Sequence, residues 1–207
     1  MTVAGVTSVP ADDRAANPFR RRLLDGLAES IGQRGYRDTT IADIVRHART
    51  SKRTFYDQFA SKEECFLELL WTGNQEMIAR ISAAVDPEAP WQKQIRQAID
   101  AYVDDIESRP AITLSWIREL PALGTSVRDL QRRGMAALTD LLVYLSESPG
   151  FRRANIRPLT RPMAVLIIGG LRELTAMTVE DGRDPRDIVE TGVAASVAIL
   201  GAARTTD

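Results

Sequence analysis

Two short apolar faces, separated by a break of two or three residues, constrain this chain more than any other feature. Ile41, Ile44, Val45 and Ala48 recur at i, i+3, i+4 and i+7, one face of two helical turns. Arg49 and Thr50 interrupt the pattern. Ser51 then has the chemistry of a helix N-cap, and Phe55 and Phe59 mark the inner side of a second short helix. Thr40 caps the first in the same way. A preceding helix braces the pair: Asn17-Pro18 is an N-cap followed by proline at the first helical position, and Phe19, Leu23, Leu27 and Ile31 repeat every four residues beside Leu24 and Ala28. Gly35 is expected to end it.

The rest of the chain also reads helical, without strand-like alternation. Ser61-Lys62-Glu63-Glu64 is a fresh helix start with acids in its first turn, and the pattern continues to about Val85, where Asp86-Pro87 stops it. Further helices are expected over 91–109, 111–120 (cut off by Pro121), 126–148, 161–180 and 184–203, with a basic loop over 151–160. The fold class is therefore all-α: a three-helix N-terminal unit over 18–62, a larger helical body over 63–207, and a small, polar, unpatterned arm over 1–17 that is expected to be flexible. Charge divides along the same line. Residues 1–62 carry eleven Lys/Arg and seven Asp/Glu, net +4, whereas 63–207 carry sixteen and twenty-one, net −5. A basic module on an acidic body fits a nucleic-acid reader carried by something else.

Two short helices joined by a tight turn form a helix-turn-helix pattern. With Ile41, Ile44, Val45, Phe55 and Phe59 turned inward, Lys52, Arg53, Thr54, Tyr56 and Asp57 face outward or flank. Lys and Arg donate to guanine O6/N7 or to phosphate, Thr meets a thymine methyl, and Tyr donates to phosphate. An ordinary solvated helix presents the same residue types, so spacing alone leaves both readings open.

The stretch from Gly35 to Glu64 resembles the DNA-binding domain of the TetR family of bacterial transcriptional regulators. The motifs that carry the resemblance are Thr40-Ile41-Ala42-Asp43-Ile44, Thr54-Phe55-Tyr56-x-x-Phe59 and Ser61-Lys62-Glu63-Glu64. The resemblance implies a homodimeric regulator, usually a repressor, released from DNA by a small ligand. It also implies that Thr40, Ser51 and Tyr56 contact phosphates, that Lys52, Arg53 and Thr54 face bases or nearby phosphates, and that Lys62 holds the backbone from the flank. Arg49 is a departure, since the family commonly has glycine in that turn. A left-handed conformation there would cost arginine roughly 1 kcal/mol, which a phosphate contact would offset. Arg46 and the first-helix arginines Arg20, Arg21 and Arg22 are further phosphate candidates, equally readable as a solvated face.

In the body, Trp71, Trp91, Tyr102, Trp116, Met135 and Met163 are spread over several helices. Each alone reads as core; as a set they suit an apolar pocket. The expected effector is accordingly apolar or amphipathic. Asp104, Asp105 and Glu107 read as a solvated face. Gly169-Gly170 and the small-sided final helix, with Gly192, Ala194, Ala195, Ala198, Gly201 and Ala202, read as a homodimer interface, the alternative being plain core.

No uninterrupted apolar run reaches the roughly 18 residues of a membrane span, and no basic start leads into an apolar leader, so a cytoplasmic chain without membrane association is expected. One cysteine, Cys65, excludes an internal disulfide and multi-thiolate metal sites; one histidine, His47, excludes sites that need two imidazoles. Neither a cofactor nor a catalytic site is expected. The reading is a ligand-responsive repressor binding a palindromic double-stranded operator. Its alternatives are a constitutive DNA-binding regulator without effector and a helical small-molecule-binding protein or enzyme.

Overall fold

The computed structural model describes residues 17–124 and 127–201. The arm expected over 1–17 therefore lies outside the described residues except for Asn17, as do Ser126 and the end of the chain from Ala202. Within the described residues every regular element is helical, and the chain divides into two compact units between Leu69 and Leu70.

The N-terminal unit holds α1 (Pro18–Asp38), α2 (Ile41–His47), α3 (Lys52–Gln58) and the first turns of α4 (Lys62–Ala84). Asn17 caps α1 by accepting the Phe19 amide, and Pro18 occupies the first position. Helical backbone breaks at Gly35 (φ 77°), and one further turn follows it. Leu23, Leu27 and Ile31 of α1 are buried, as are Ile44 and Val45 of α2 and Phe55 and Phe59 at α3. Phe19, the first residue of the expected stripe, is exposed, with the Arg22 guanidinium over its ring. Gly26 lets α1 and α2 approach closely: a β-carbon there would lie 2.7 Å from the Ile44 carbonyl oxygen. The unit extends past Lys62 because Cys65, Phe66 and Leu69 are buried, with the Phe66 ring stacked on Tyr36 at 3.8 Å. Burial pushes the Cys65 thiol up from its ordinary pKa.

The C-terminal unit comprises the remainder of α4, α5 (Trp91–Ser108), α6 (Pro110–Leu114), α7 (Arg128–Ser146), α8 (Pro149–Arg153), α9 (Arg161–Glu180) and α10 (Ile188–Gly201). Helical backbone continues beyond α6 as a wider turn over Ser115–Glu119 and a tighter one over Leu120–Leu123. Pro121 therefore lies inside helical backbone instead of ending it. The main core joins Trp91, Ile95, Ile99 and Val103 of α5 to Ala164 and Ile167 of α9 and to Ile188, Val189 and Leu200 of α10. The expected basic loop over 151–160 is partly α8, because Phe151 is buried against Trp91. The solvated reading of Asp104, Asp105 and Glu107 holds for two of the three. Asp105 is buried and ion-paired to Arg80 and Arg109.

Among the described residues, α9 is the one helix long and apolar enough, by length and composition, to cross a membrane. Its Ala164, Ile167 and Ala176 side faces the protein core, and Val165, Leu166 and Met177 are exposed.

Candidate nucleic-acid interface and ligand cavity

The helix-turn-helix is held by three local devices. First, Thr40 and Asp43 form a capping box. The Thr40 hydroxyl accepts the Asp43 amide at 3.2 Å, and the Asp43 carboxylate accepts the Thr40 amide at 3.0 Å and the Thr40 hydroxyl at 2.6 Å. These bonds, with Arg34 and Arg46 nearby, hold Asp43 below the ordinary carboxylate range. Second, the end of α2 is a Schellman motif. The Arg49 amide donates to the Arg46 carbonyl at 3.2 Å and the Thr50 amide to the Val45 carbonyl at 2.9 Å. This places Arg49 at φ 49°, the left-handed region. Third, the Ser51 hydroxyl accepts the Thr54 amide at 3.1 Å and starts α3.

With Phe55 and Phe59 buried, α3 turns Ser51, Lys52, Arg53, Tyr56 and Asp57 to solvent, and Thr54 is half-buried. Thr40 and Arg49 are exposed as well. Seven of the eight sequence-predicted DNA-binding residues thus lie at exposed or half-exposed positions along the capped turn and α3.

Lys62 departs from its expected role as a backbone clamp. Its ammonium donates to the carbonyls of Tyr36, Arg37 and Thr39 at 2.9, 3.4 and 2.7 Å and lies over the Tyr36 ring. An ammonium has three donors, and three carbonyls at the end of α1 take them. Arg20 is likewise internal: it ion-pairs with Glu68, donates to the Gln58 carbonyl and covers the Phe59 ring. Arg46 donates to Asp43 at 3.0 Å. His47 sits 3.2 Å from Glu29. Arg21 and Arg22 remain exposed.

The C-terminal unit holds a partly open cavity of about 160 Å³. Of the six expected lining residues, Tyr102 and Trp116 reach it. Trp91 does not, being buried in the main core against Phe151. Trp71 instead has the Arg133 guanidinium over its ring, Met163 packs at the edge of the main core, and Met135 is half-buried on α7 outside the lining. The walls are mainly aliphatic side chains such as Ile99, Ile117, Leu141 and Ile168, with Asn74, Gln94, Asp105, Arg109 and Arg172 among the polar ones. Gly134 makes room for Trp116: a β-carbon there would stand 2.5 Å from the indole. Burial raises the Tyr102 hydroxyl above its ordinary pKa, opposed by its 2.9 Å bond with Thr175 and by the Arg172 charge.

The small residues expected at an interface divide. Gly169, Gly170, Ala194, Ala195 and Ala198 are exposed. Gly192 is buried, and a β-carbon there would stand 2.9 Å from Leu171. It therefore serves close helix packing inside the unit, not an outer surface.

The sequence model of the bacterial regulatory proteins of the tetR family matches residues 23–69, the span that folds as this capped three-helix unit. Over that span the chain resembles the DNA-binding domain of the TetR family. It is similar to the uncharacterized HTH-type transcriptional regulator YhgD of Bacillus subtilis, 27% identical over 106 residues, covering 51% of this chain and 55% of that protein. It is also similar to the HTH-type transcriptional repressor KstR2 of Mycobacterium tuberculosis, 32% identical over 119 residues, covering 56% of this chain and 60% of that one. The chain spans about half or less of the length of the first curated relatives it matches. Its fold is similar to that of the regulator FadR from Bacillus subtilis in complex with stearoyl-CoA. The TM-score is 0.72 at 16% identity, covering 87% of this chain and 97% of that one. The sequence match covers the N-terminal unit, and the similarity of fold extends over both units.

Proposed function

We propose that this TetR-like chain is a dimeric, sequence-specific DNA-binding regulator of the repressor kind. In this reading its hold on a near-palindromic operator is weakened by a small apolar or amphipathic molecule in the C-terminal cavity. The observation that carries the DNA half is α3 itself: Phe55 is buried while Lys52, Arg53 and Tyr56 are presented to solvent from the same two turns. Arg53 or Lys52 would donate to guanine edges, Thr54 would meet a thymine methyl, and Ser51, Tyr56, Thr40 and Arg49 would take phosphates. Such a regulator works where the chromosome is, in the cytoplasm.

The exposed apolar face of α9, with Val165 and Leu166 beside Gly169 and Gly170, supports assembly, as do the exposed alanines of α10. Two copies packing these helices into a four-helix bundle would cover that face. Two recognition helices would then address half-sites about one helical turn apart, ~34–36 Å. The open cavity favours an effector over constitutive binding, and FadR's complex with stearoyl-CoA supports the helical unit as a ligand holder. The helix α4 contributes residues to both units and is the covalent route for coupling. A coupling of ~1–3 kcal/mol would change operator affinity about 5–150-fold.

The test is fluorescence anisotropy with genomic fragments, alongside sedimentation. Arg53→Ala is expected to weaken specific binding by about 1–3 kcal/mol. Ala195→Arg is expected to yield monomers that lose specific binding. Unchanged affinity in Arg53→Ala at moderate salt would end the recognition-helix assignment; a wild-type monomer at micromolar concentration would end the dimer.

A further inference from the structure

Among the described residues, two buried side-chain donors of the cavity lining have no protein partner. Asn74, on α4, lines the cavity and is 5% exposed, yet its Nδ2 has no hydrogen-bond partner. Arg172, on α9, lines the cavity too, and its Nε is buried without a partner. A buried donor left unmade costs free energy, more when it is charged, so two at one cavity call for an acceptor. Asp105 and Glu173, the acid in the lining and the acid next to Arg172, are engaged elsewhere. Asp105 pairs with Arg80 and Arg109, and Arg109 also meets Glu76 at 3.2 Å. Glu173 is bound by Arg118 at 2.8 Å.

From this arrangement we propose that the cavity takes a compact carboxylic acid, its carboxylate on Arg172 with Asn74 as an additional donor toward its polar groups, and its apolar body against the aliphatic walls. The proposal rests on the cavity being the effector site and names the class of effector. The fork of N–H donors on a guanidinium matches a planar carboxylate. A dianionic phosphate suits the site less, since one guanidinium among aliphatic walls would leave its second charge desolvated and unmatched. Size follows from the volume. A cavity of about 160 Å³ is close to the engineered apolar cavity of about 150 Å³ that holds one benzene molecule. The apolar body is therefore about one ring, or a chain of roughly six to eight carbons.

The experiment is titration of the full-length protein with phenylacetate, phenylacetamide, phenethylamine and phenyl phosphate, followed by Trp116 fluorescence and by calorimetry. Phenylacetate is expected to bind at least tenfold more tightly than the amide, with the amine and the phosphate weaker still. Arg172→Met is expected to remove that tenfold preference while keeping the amide's affinity, which shows that the cavity is intact, and Arg172→Lys is expected to keep part of it. Binding of the amide or amine as tight as that of the acid overturns the proposal, as does no binding of any of the four up to millimolar concentration. So does an acid preference that survives in Arg172→Met. Operator affinity measured in parallel separates the two readings. Arg172-dependent acid binding that leaves operator affinity unchanged upholds this ligand class and ends the sensor reading instead.

Discussion

Arg49 sets a stability cost against a contact, and the two can be measured apart. Among the described residues, three helices end in the same Schellman geometry, and the residue at the left-handed position differs in each. After α9 it is Gly182 (φ 65°), after α8 it is Asn155 (φ 53°), and after α2 it is Arg49 (φ 49°). Glycine has no β-carbon to clash and asparagine tolerates the region, whereas an ordinary L-residue loses roughly 1–2 kcal/mol there. Arg49→Gly removes that strain but gives the unfolded chain more freedom, which takes back about 0.5–1 kcal/mol. The expected net gain is therefore about 0.5–1 kcal/mol. Arg49→Ala keeps the strained β-carbon and loses the guanidinium, so it is expected to gain nothing. Because the chain has two compact units, hydrogen exchange at the Thr50 and Phe55 amides is a better reader than a single melting temperature. Their protection is expected to rise roughly two- to fivefold in Arg49→Gly and stay level in Arg49→Ala. If Arg49 meets a phosphate, both variants lower the salt dependence of DNA binding by about 0.9 in log–log slope. Equal stability in the two variants, or a loss in Arg49→Gly, would refute the strain argument.

Other outcomes follow from the same unit. Gly26→Ala is expected to destabilise it by about 1–2 kcal/mol, read by denaturant unfolding, because the added methyl meets the α2 backbone and this outweighs the gain in helix propensity. Lys62→Met is expected to lower its stability by about 1–3 kcal/mol and leave the salt slope of DNA binding unchanged, since the ammonium is held by protein carbonyls. Asp43 is held below its unfolded pKa, so its capping box is fully stabilising above the ordinary carboxylate range and fades as pH falls through the lowered value. Amide exchange of α2 against pH should show this acid limb in the parent and lose it in Asp43→Asn.

Local signals explain why the N-terminal unit was legible. Caps, the Arg49 turn and the i, i+3, i+4 faces each involve residues a few positions apart, and short-range geometry decides them. Arg49 stands out by residue type alone, and its positive φ follows from the two amide bonds that close the turn. What local signals do not carry in that unit is long-range. Lys62 and Arg20 look like phosphate ligands by charge, but their partners stand 23–26 and 38–48 residues away along the chain. Gly26 carries no sequence signal beyond being a glycine within a helical pattern, and its close approach to the α2 backbone emerges only in the fold.

The cavity shows a different limit. Large aromatic and sulfur-containing side chains suggest a pocket in sequence, yet Trp91 is core, because size and apolarity fill space as readily as they line it. What distinguishes a wall from a core is an absence: a neighbour missing on one side, or a polar atom whose partner is missing. Gly134 is such a place, since Trp116 occupies the volume that a side chain at 134 would fill. Asn74 and Arg172 are two more, and neither is conspicuous in a sequence where arginine is abundant and many arginines pair with acids far along the chain, as Arg118, Arg153 and Arg186 do. Distinguishing Arg172 from those requires knowing which acids are already engaged, which depends on the whole packing of the unit. The polar specificity of the cavity is therefore a property of its unpaired remainder, and substitutions that re-pair it should change ligand preference without changing the fold. A carboxylate supplied from within, as in Ile168→Glu beside the same cavity, is expected to occupy Arg172 and abolish acid binding while calorimetry still finds the neutral amide. Retained acid preference in that variant would show that Arg172 is not the anion's partner.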